Sequence, residues 1–291
     1  MSAVAANPFA PPAGLRRVKD RAFTGYLWLS AGMALAPLAL IAAYVVGKGA
    51  GALTVNFFTK EPAGTLHPLD GGIAQSFVGT GIIVGIATAI AVPLGILTAV
   101  YLAEYGRGRV AAIVRLTAEV LLSTPSIVAG VFIWVVVVVA MRTFSGLAGA
   151  IALVVLMWPI VARATEEVLR LVSQEIREGG LALGLPRWKI VLRIVIPTAA
   201  PGILTAVMLA VARALGETAP LLLTALGNDF MTTDPRRPMD AVPLRIFSYA
   251  RTPVEALHQL AWGGALVLLL VVLVLSIAGR GLASRQRKRL A

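Results

Sequence analysis

Arg213 and Glu217 stand four residues apart in PGILTAVMLAVARALGETAPLLLTA (201–225), a run that is otherwise apolar. On a helix this spacing puts both on one face, within reach of each other. A helix beginning near Pro201 carries Arg213 about 18 Å along its axis at 1.5 Å per residue. That is near the middle of an apolar slab about 30 Å thick. A lone arginine there costs about 2.5–3.5 kcal/mol on insertion scales, and Glu217 can offset part of it. Two chemistries fit the pair. One is a structural ion pair that locks helices together. The other is an anion site in a pathway, because a guanidinium fork donates two parallel hydrogen bonds to a tetrahedral oxyanion. Thr218, beside Glu217, adds a hydroxyl. Thr124 and Ser126 flank Pro125 in LLSTPSIVAGVF (121–132). A proline in an apolar run predicts a kink or a broken helix. The two hydroxyls there either satisfy freed backbone groups or face the same pathway.

The rest of the inventory excludes more than it offers. The sequence has no cysteine, so thiol catalysis, disulfides and cysteine-based metal sites are out. No glycine-rich loop ends in Gly-Lys-Ser or Gly-Lys-Thr, so the chain should not hydrolyse ATP by itself. His67 and His258 lie in opposite halves without a metal-ligand pattern, and read as solvated loop or span-end residues. GTGIIVG (79–85) has the wrong glycine spacing for a dinucleotide fingerprint and no strand before it. Gly81 and Gly85 instead form a small-xxx-small pair that lets a neighbouring helix approach closely.

The elements that must hold these residues are membrane spans. Charged residues make up 14% of the chain, hydrophobic ones 58%, and the mean hydropathy is +0.86. Soluble domains carry about 25% charged residues, so the composition is that of an all-α polytopic membrane protein. Apolar runs at 25–46, 73–102, 116–141, 146–162, 199–226 and 257–278 predict six transmembrane helices. The net charge of +12 suits short basic segments between spans better than a nucleic-acid surface. With both termini in the cytoplasm, eighteen of the twenty-six Lys and Arg fall on the inner side, which favours that orientation. The chain therefore reads as a cytoplasmic N-terminal segment (1–24), one six-span domain (25–279) and a basic cytoplasmic tail (280–291). The charged segment 163–198 lies inside the cell. The first span reads as a retained anchor, since no cleavable signal pattern precedes it.

Within that inner segment, Glu178-Gly179-Gly180 is followed at fixed distances by Gly184 and by Ile194-Val195-Ile196-Pro197. This resembles the EAA loop of bacterial ABC-importer permeases, with Gly179 and Gly180 in place of two alanines and Ile196 in place of a leucine. Two glycines in a short helix cost about 1 kcal/mol each, so that helix needs a partner to hold it. STPSIVAG (123–130), the Arg213–Glu217 run and MDAVPLRIFSYA (239–250) together resemble the A-type permease subunits of the phosphate-specific bacterial ABC importer, the PstA family.

The resemblance implies a type I importer fold with six spans in the cytoplasmic (inner) membrane. It implies a heterodimer with a C-type phosphate permease, two ATPase subunits that bind the ATP and magnesium, and an extracytoplasmic phosphate-binding protein. The chain itself would need no cofactor. It further implies that Glu178, Gly179 and Gly184, bordered by Arg187, Trp188 and Lys189, form the ATPase-coupling element. Arg213 and Glu217 match the charged positions thought to serve phosphate passage, with Thr218, Thr124 and Ser126 as neighbouring pathway candidates. A permease for sulfate, molybdate or phosphonate, and an ATP-independent channel or secondary transporter, are the competing readings. A membrane-embedded enzyme lacks a catalytic constellation.

Overall fold

The computed structural model describes residues 14–64 and 67–290. Residues 1–13 of the N-terminal segment, and the side chains of the basic tail beyond Gly281, lie outside the described residues. Everything regular among the described residues is helical, apart from a single bridge between Leu226 and Met239. The chain divides at Gly47 and Lys48 into two compact units.

The first unit is dominated by α1 (Gly14–Gly49), whose basic start (Arg17, Lys19, Arg21) leads into a long apolar stretch. In the second unit, Thr54 caps α2 (Val55–Thr59) by accepting a bond from the Phe57 amide at 3.3 Å. α3 (Ala74–Val100) then continues through a π-helical turn (Tyr101–Tyr105). α4 (Gly108–Ser123) meets α5 (Ser126–Ile133) at a bend of 106°. A second π turn (Trp134–Val138) and α6 (Val139–Met141) lead to Arg142, which takes a left-handed conformation at φ 53°. α7 (Gly146–Arg170) is followed by α8 (Gln174–Ala182) and α9 (Arg187–Ile190). A third π turn (Val191–Val195) joins α9 to α10 (Ile196–Leu215). α11 (Ala219–Thr224), α12 (Val242–Ala250) and α13 (Glu255–Leu290) complete the order.

Five helical segments are long and apolar enough to cross a membrane, and the bent α4–α5 pair makes a sixth if it crosses as one. The expected count of six is thus met in a different way at the third span. The basic stretch 103–115, between the second and third apolar runs, is largely the start of α4. The fourth span does not end at 162 but runs to Arg170, and the fifth does not run unbroken to 226. It starts at Arg187 and ends at Leu215, where Gly216 to Thr218 interrupt it. A helix that stops at Gly216 and restarts with Pro220 in its first turn follows from glycine's low helix propensity and from proline's fit to that turn.

The core is assembled by close backbone approach. A Cβ on Gly95 would lie 2.7 Å from the Val161 side chain, and one on Gly149 would sit 3.7 Å from Ile83. The constant offset places α3 and α7 parallel and in register. Gly202 meets Val168 and Gly149 meets Leu221, which sets α10 antiparallel to α7. Small residues at these crossings leave room for Ile83, Leu153, Met157 and Leu221 to fill the space between. Gly81 and Gly85 do not take part. Both are exposed, with nothing among the described residues within 4 Å of a Cβ built there.

The two kinds of glycine should behave differently. Gly95→Val is expected to destabilise the isolated subunit by about 1–3 kcal/mol, the usual range for overpacking. Gly81→Val should change it by no more than about 0.5 kcal/mol. Denaturant unfolding in detergent micelles measures both.

Candidate functional site

Arg213 and Glu217 do form an ion pair, Nε to Oε1 at 3.2 Å. The geometry behind it differs from the sequence expectation. Arg213 is not in mid-helix but in the last turn of α10, and Glu217 lies in the break beyond it. The depth survives for another reason. The antiparallel register that puts Gly202 beside Val168 and Leu221 beside Gly149 carries Arg213 to the level of Met157, halfway along α7. The pair is also not buried within this chain. The Arg213 side chain is 50% exposed and that of Glu217 14%. A guanidinium at mid-span with half its surface open cannot rest against hydrocarbon, so it faces water, an anion or another polypeptide.

The second break lies beside the first. Gly130 of α5 packs against Pro220 of α11, its Cβ position 2.7 Å from the Pro220 Cα. From that contact the chain runs back four residues to Ser126 and about as many to Gly216. Two interrupted helices therefore meet near one level, an arrangement that marks binding sites in transporters. Thr124 Oγ1 donates to the Val120 carbonyl at 2.7 Å, and Ser123 Oγ to Glu119 at 2.9 Å, so these hydroxyls repair the end of α4. The hydroxyls of Ser126 and Thr218 have no partner among the described residues. No bond joins Arg213 or Glu217 to Thr124 or Ser126 among the described residues.

The segment 174–190 forms two short helices separated by Leu183–Pro186, with Gly184 at φ +76°. Glu178, Gly179, Gly184, Arg187 and Trp188 are exposed, and Lys189 is half-buried with its Nζ 5.4 Å from the Trp188 ring centre. Arg187 lies over the Tyr105 ring at 5.4 Å. Gly180 rather than Gly179 is the glycine required by packing. A Cβ on it would stand 2.9 Å from Ile190, so α8 can lie on α9 only without one.

What fastens α8 to the rest is Arg177, which sequence reasoning passed over. Its Nη2 lies 2.7 Å from Glu104 Oε1, and Nε bonds the same carboxylate at 3.1 Å. The remaining donors reach the carbonyls of Leu169, Val172 and Ser173 at the end of α7. One guanidinium thereby ties α8 to the π turn after α3 and to the last turn of α7. A second cluster centres on Glu166, whose side chain is 1% exposed. It takes Arg115 at 2.8 Å, Arg163 at 3.1 Å and Arg170 at 2.6 Å, while Arg115 also donates to the Leu102 carbonyl at 2.9 Å. The spacing Arg163, Glu166, Arg170 was the available signal, hidden by ending the span at 162.

A third cluster sits at the opposite end of the spans, within the MDAVPLRIFSYA stretch. Asp240 accepts from Arg245 Nε at 2.7 Å and from Ser76 at 2.5 Å, and Asp229 takes Arg245 Nη1 at 2.6 Å. Burial pushes the Asp240 carboxyl above its ordinary value, against the pull of Arg245 and Ser76. Desolvation works against the Arg245 charge, but Asp240 and Asp229 raise it overall.

A helical bundle with two broken spans, a charge pair at one break and an exposed two-helix segment at one end is the architecture of an importer permease. The profile of the family described as "Binding-protein-dependent transport system inner membrane component" matches residues 91–290. The chain is 43% identical over 243 residues to the phosphate transport system permease protein PstA of Yersinia pestis, covering 83% of this chain and 82% of that one. It is 39% identical over 289 residues to PstA 1 of Mycobacterium tuberculosis strain H37Rv, covering 96% and 93%. In fold it is similar to the inward-facing MetNI methionine ABC transporter, with TM-score 0.57 and 19% identity over 74% of this chain and 94% of that one. The chain belongs to the binding-protein-dependent transport family as a multi-pass inner-membrane component. Within that family it groups with the PstA permeases.

Removing Arg177 would strand Glu104, 3% exposed, without a counter-charge. Arg177→Ala is expected to cost about 3–5 kcal/mol, as broken buried pairs do. The double variant with Glu104→Ala should recover part of that loss. A double-mutant cycle on unfolding in detergent reads the coupling.

Proposed function

We propose that the chain is the permease subunit of an ATP-driven importer that carries inorganic phosphate across the cytoplasmic membrane. The observation that carries this reading is Arg213, half-exposed at mid-span beside a helix break, in a chain that groups with phosphate permeases. Both termini and the α8–α9 segment face the cytoplasm, as the distribution of basic residues favours. The chain pairs with a C-type phosphate permease, and the exposed small-residue face at Gly81 and Gly85 supports such a helix-to-helix contact. Two ATPase subunits bind ATP and magnesium and dock on α8–α9. An extracytoplasmic phosphate-binding protein delivers the ion.

Arg213 offers its free guanidinium donors to the phosphate oxygens in a water-poor setting, where each bond is stronger than in bulk. Glu217 holds the Nε edge, leaving the other donors for the anion, and accepts a hydrogen bond from a protonated phosphate oxygen. Sulfate lacks that proton at neutral pH, so the carboxylate repels it. The alternative is a structural pair set against the partner subunit.

Work enters at α8–α9. Closure of the ATPases drags this pair, and the continuous run from Arg187 to Leu215 carries the movement to Arg213. The Arg177–Glu104 clasp passes it to α3 as well. The break at Gly216 lets the lower segment move against α11, switching the site between the two sides.

Arg213→Ala should lower ATP-dependent phosphate uptake about ten- to hundredfold in proteoliposomes, the value of one charge-assisted contact, with the complex still assembled. Glu217→Gln should admit sulfate as a competitor. Unchanged uptake and selectivity in both would leave only the structural pair. For coupling, Glu178→Lys should lose ATPase co-purification or coupled turnover. Gly184→Pro should do the same, since proline holds φ near −65° where the chain needs +76°. Normal ATPase binding and uptake in both would overturn the assignment of this segment.

A further inference from the structure

At the end of the bundle that carries α8 and α9 lies a cavity of about 510 Å³. Its walls come from the π turn after α3, the last turn of α7, and both short helices. Arg107, Arg170, Arg177 and Arg187 line it, against a single carboxylate, Glu104. Arg177 is saturated by Glu104 and three carbonyls and serves as wall. The other three keep donors to spare. Arg170 gives one Nη2 to Glu166, a carboxylate already shared with Arg115 and Arg163. Arg187 rests on the Tyr105 ring and has no acidic partner among the described residues. Arg107 is exposed and has none either.

A concave site with an excess of guanidinium and apolar walls such as Ile190 and Val191 focuses positive potential and draws in anions. Three forks from three different elements suit an anion with several equivalent oxygens rather than a lone carboxylate. We propose that this cavity binds a phosphate group, supplied either by an anionic lipid headgroup of the adjoining leaflet or by free inorganic phosphate. The site is separate from Arg213, which sits about halfway along the spans. Its ligand bridges Arg107 after α3, Arg170 of α7 and Arg187 of α9, and so stiffens the joint through which α8–α9 moves. Occupancy therefore sets how readily the lever follows the ATPases.

The test uses the complete importer complex in nanodiscs and follows amide exchange over residues 174–190. In one arm the discs are zwitterionic and inorganic phosphate is titrated. In the other, phosphate is absent and the fraction of phosphatidylglycerol is raised. Wild type should gain protection in at least one arm. Arg107→Gln should need about tenfold more of the same anion, as expected for losing one charge-assisted contact, and Arg107→Lys should recover part of the response. Protection in the lipid arm names a headgroup as the source, and protection in the phosphate arm names the free ion. A phosphate response equal in wild type and Arg107→Gln would arise elsewhere, for instance at Arg213, and would overturn the proposal. Indifference to both anions would overturn it too. So would loss of ATPase co-purification in Arg107→Gln without any change in anion response, which would make the cavity a protein contact.

Discussion

A charge buried among apolar spans must find a partner, and the buried carboxylates among the described residues all do. Glu166, Glu104 and Asp240 are all nearly inaccessible, and each is met by at least one guanidinium within 3 Å. These pairs are costly to assemble in a low-dielectric setting and more costly to break. They sit where helices change course: at the π turn after α3, at the end of α7, and where the 227–241 stretch folds back on α3. Arg213 departs from the rule. It has a partner in Glu217, yet half its surface is left open at mid-span, where water, an anion or another polypeptide must complete it.

The same pairs hold the short helices α8 and α9 in place. α8 carries two glycines and is only nine residues long, too short to persist unaided. Arg177 anchors it at two points, and Gly180 lets it lie against Ile190 of α9. From α9 the backbone runs through a π turn into α10 without interruption, a continuous helical path from Arg187 to Leu215. The run ends at Leu215, before the break at 216–218. Both helix breaks lie beside the contact between α5 and α11, next to the Arg213–Glu217 pair.

Much of this was legible in advance, and the misses share a cause. Composition pointed to the class, apolar runs to six spans, and Pro125 to a break. The family followed from the glycine spacing after Glu178 and the Arg213–Glu217 run. What could not be read was where charged residues continue a helix. Glu166 and Arg170 were assigned to a loop because they are polar, although their spacing from Arg163 is helical. They are tolerated because they pair with one another and with Arg115. Arg177 and Glu104 lie 73 positions apart and become partners only when α3 and α8 are placed. Gly81 and Gly85 admit a neighbouring helix by their spacing, but no described element of this chain supplies it. Only the register of α3 on α7 reveals that Gly95 meets one instead.

The central claim is that Arg213 borders a water-accessible pathway whose access alternates. The natural absence of cysteine makes this measurable. In the Arg213→Cys variant, assembled with partner subunits stripped of reactive cysteines, the introduced thiol reacts with a membrane-impermeant methanethiosulfonate only where water can ionise it. Labelling from the cytoplasmic side should be fast without nucleotide and suppressed when the ATPases are trapped closed, with the opposite pattern from outside. A thiol that reacts from neither side in either state would place position 213 in a sealed contact between subunits and contradict the account.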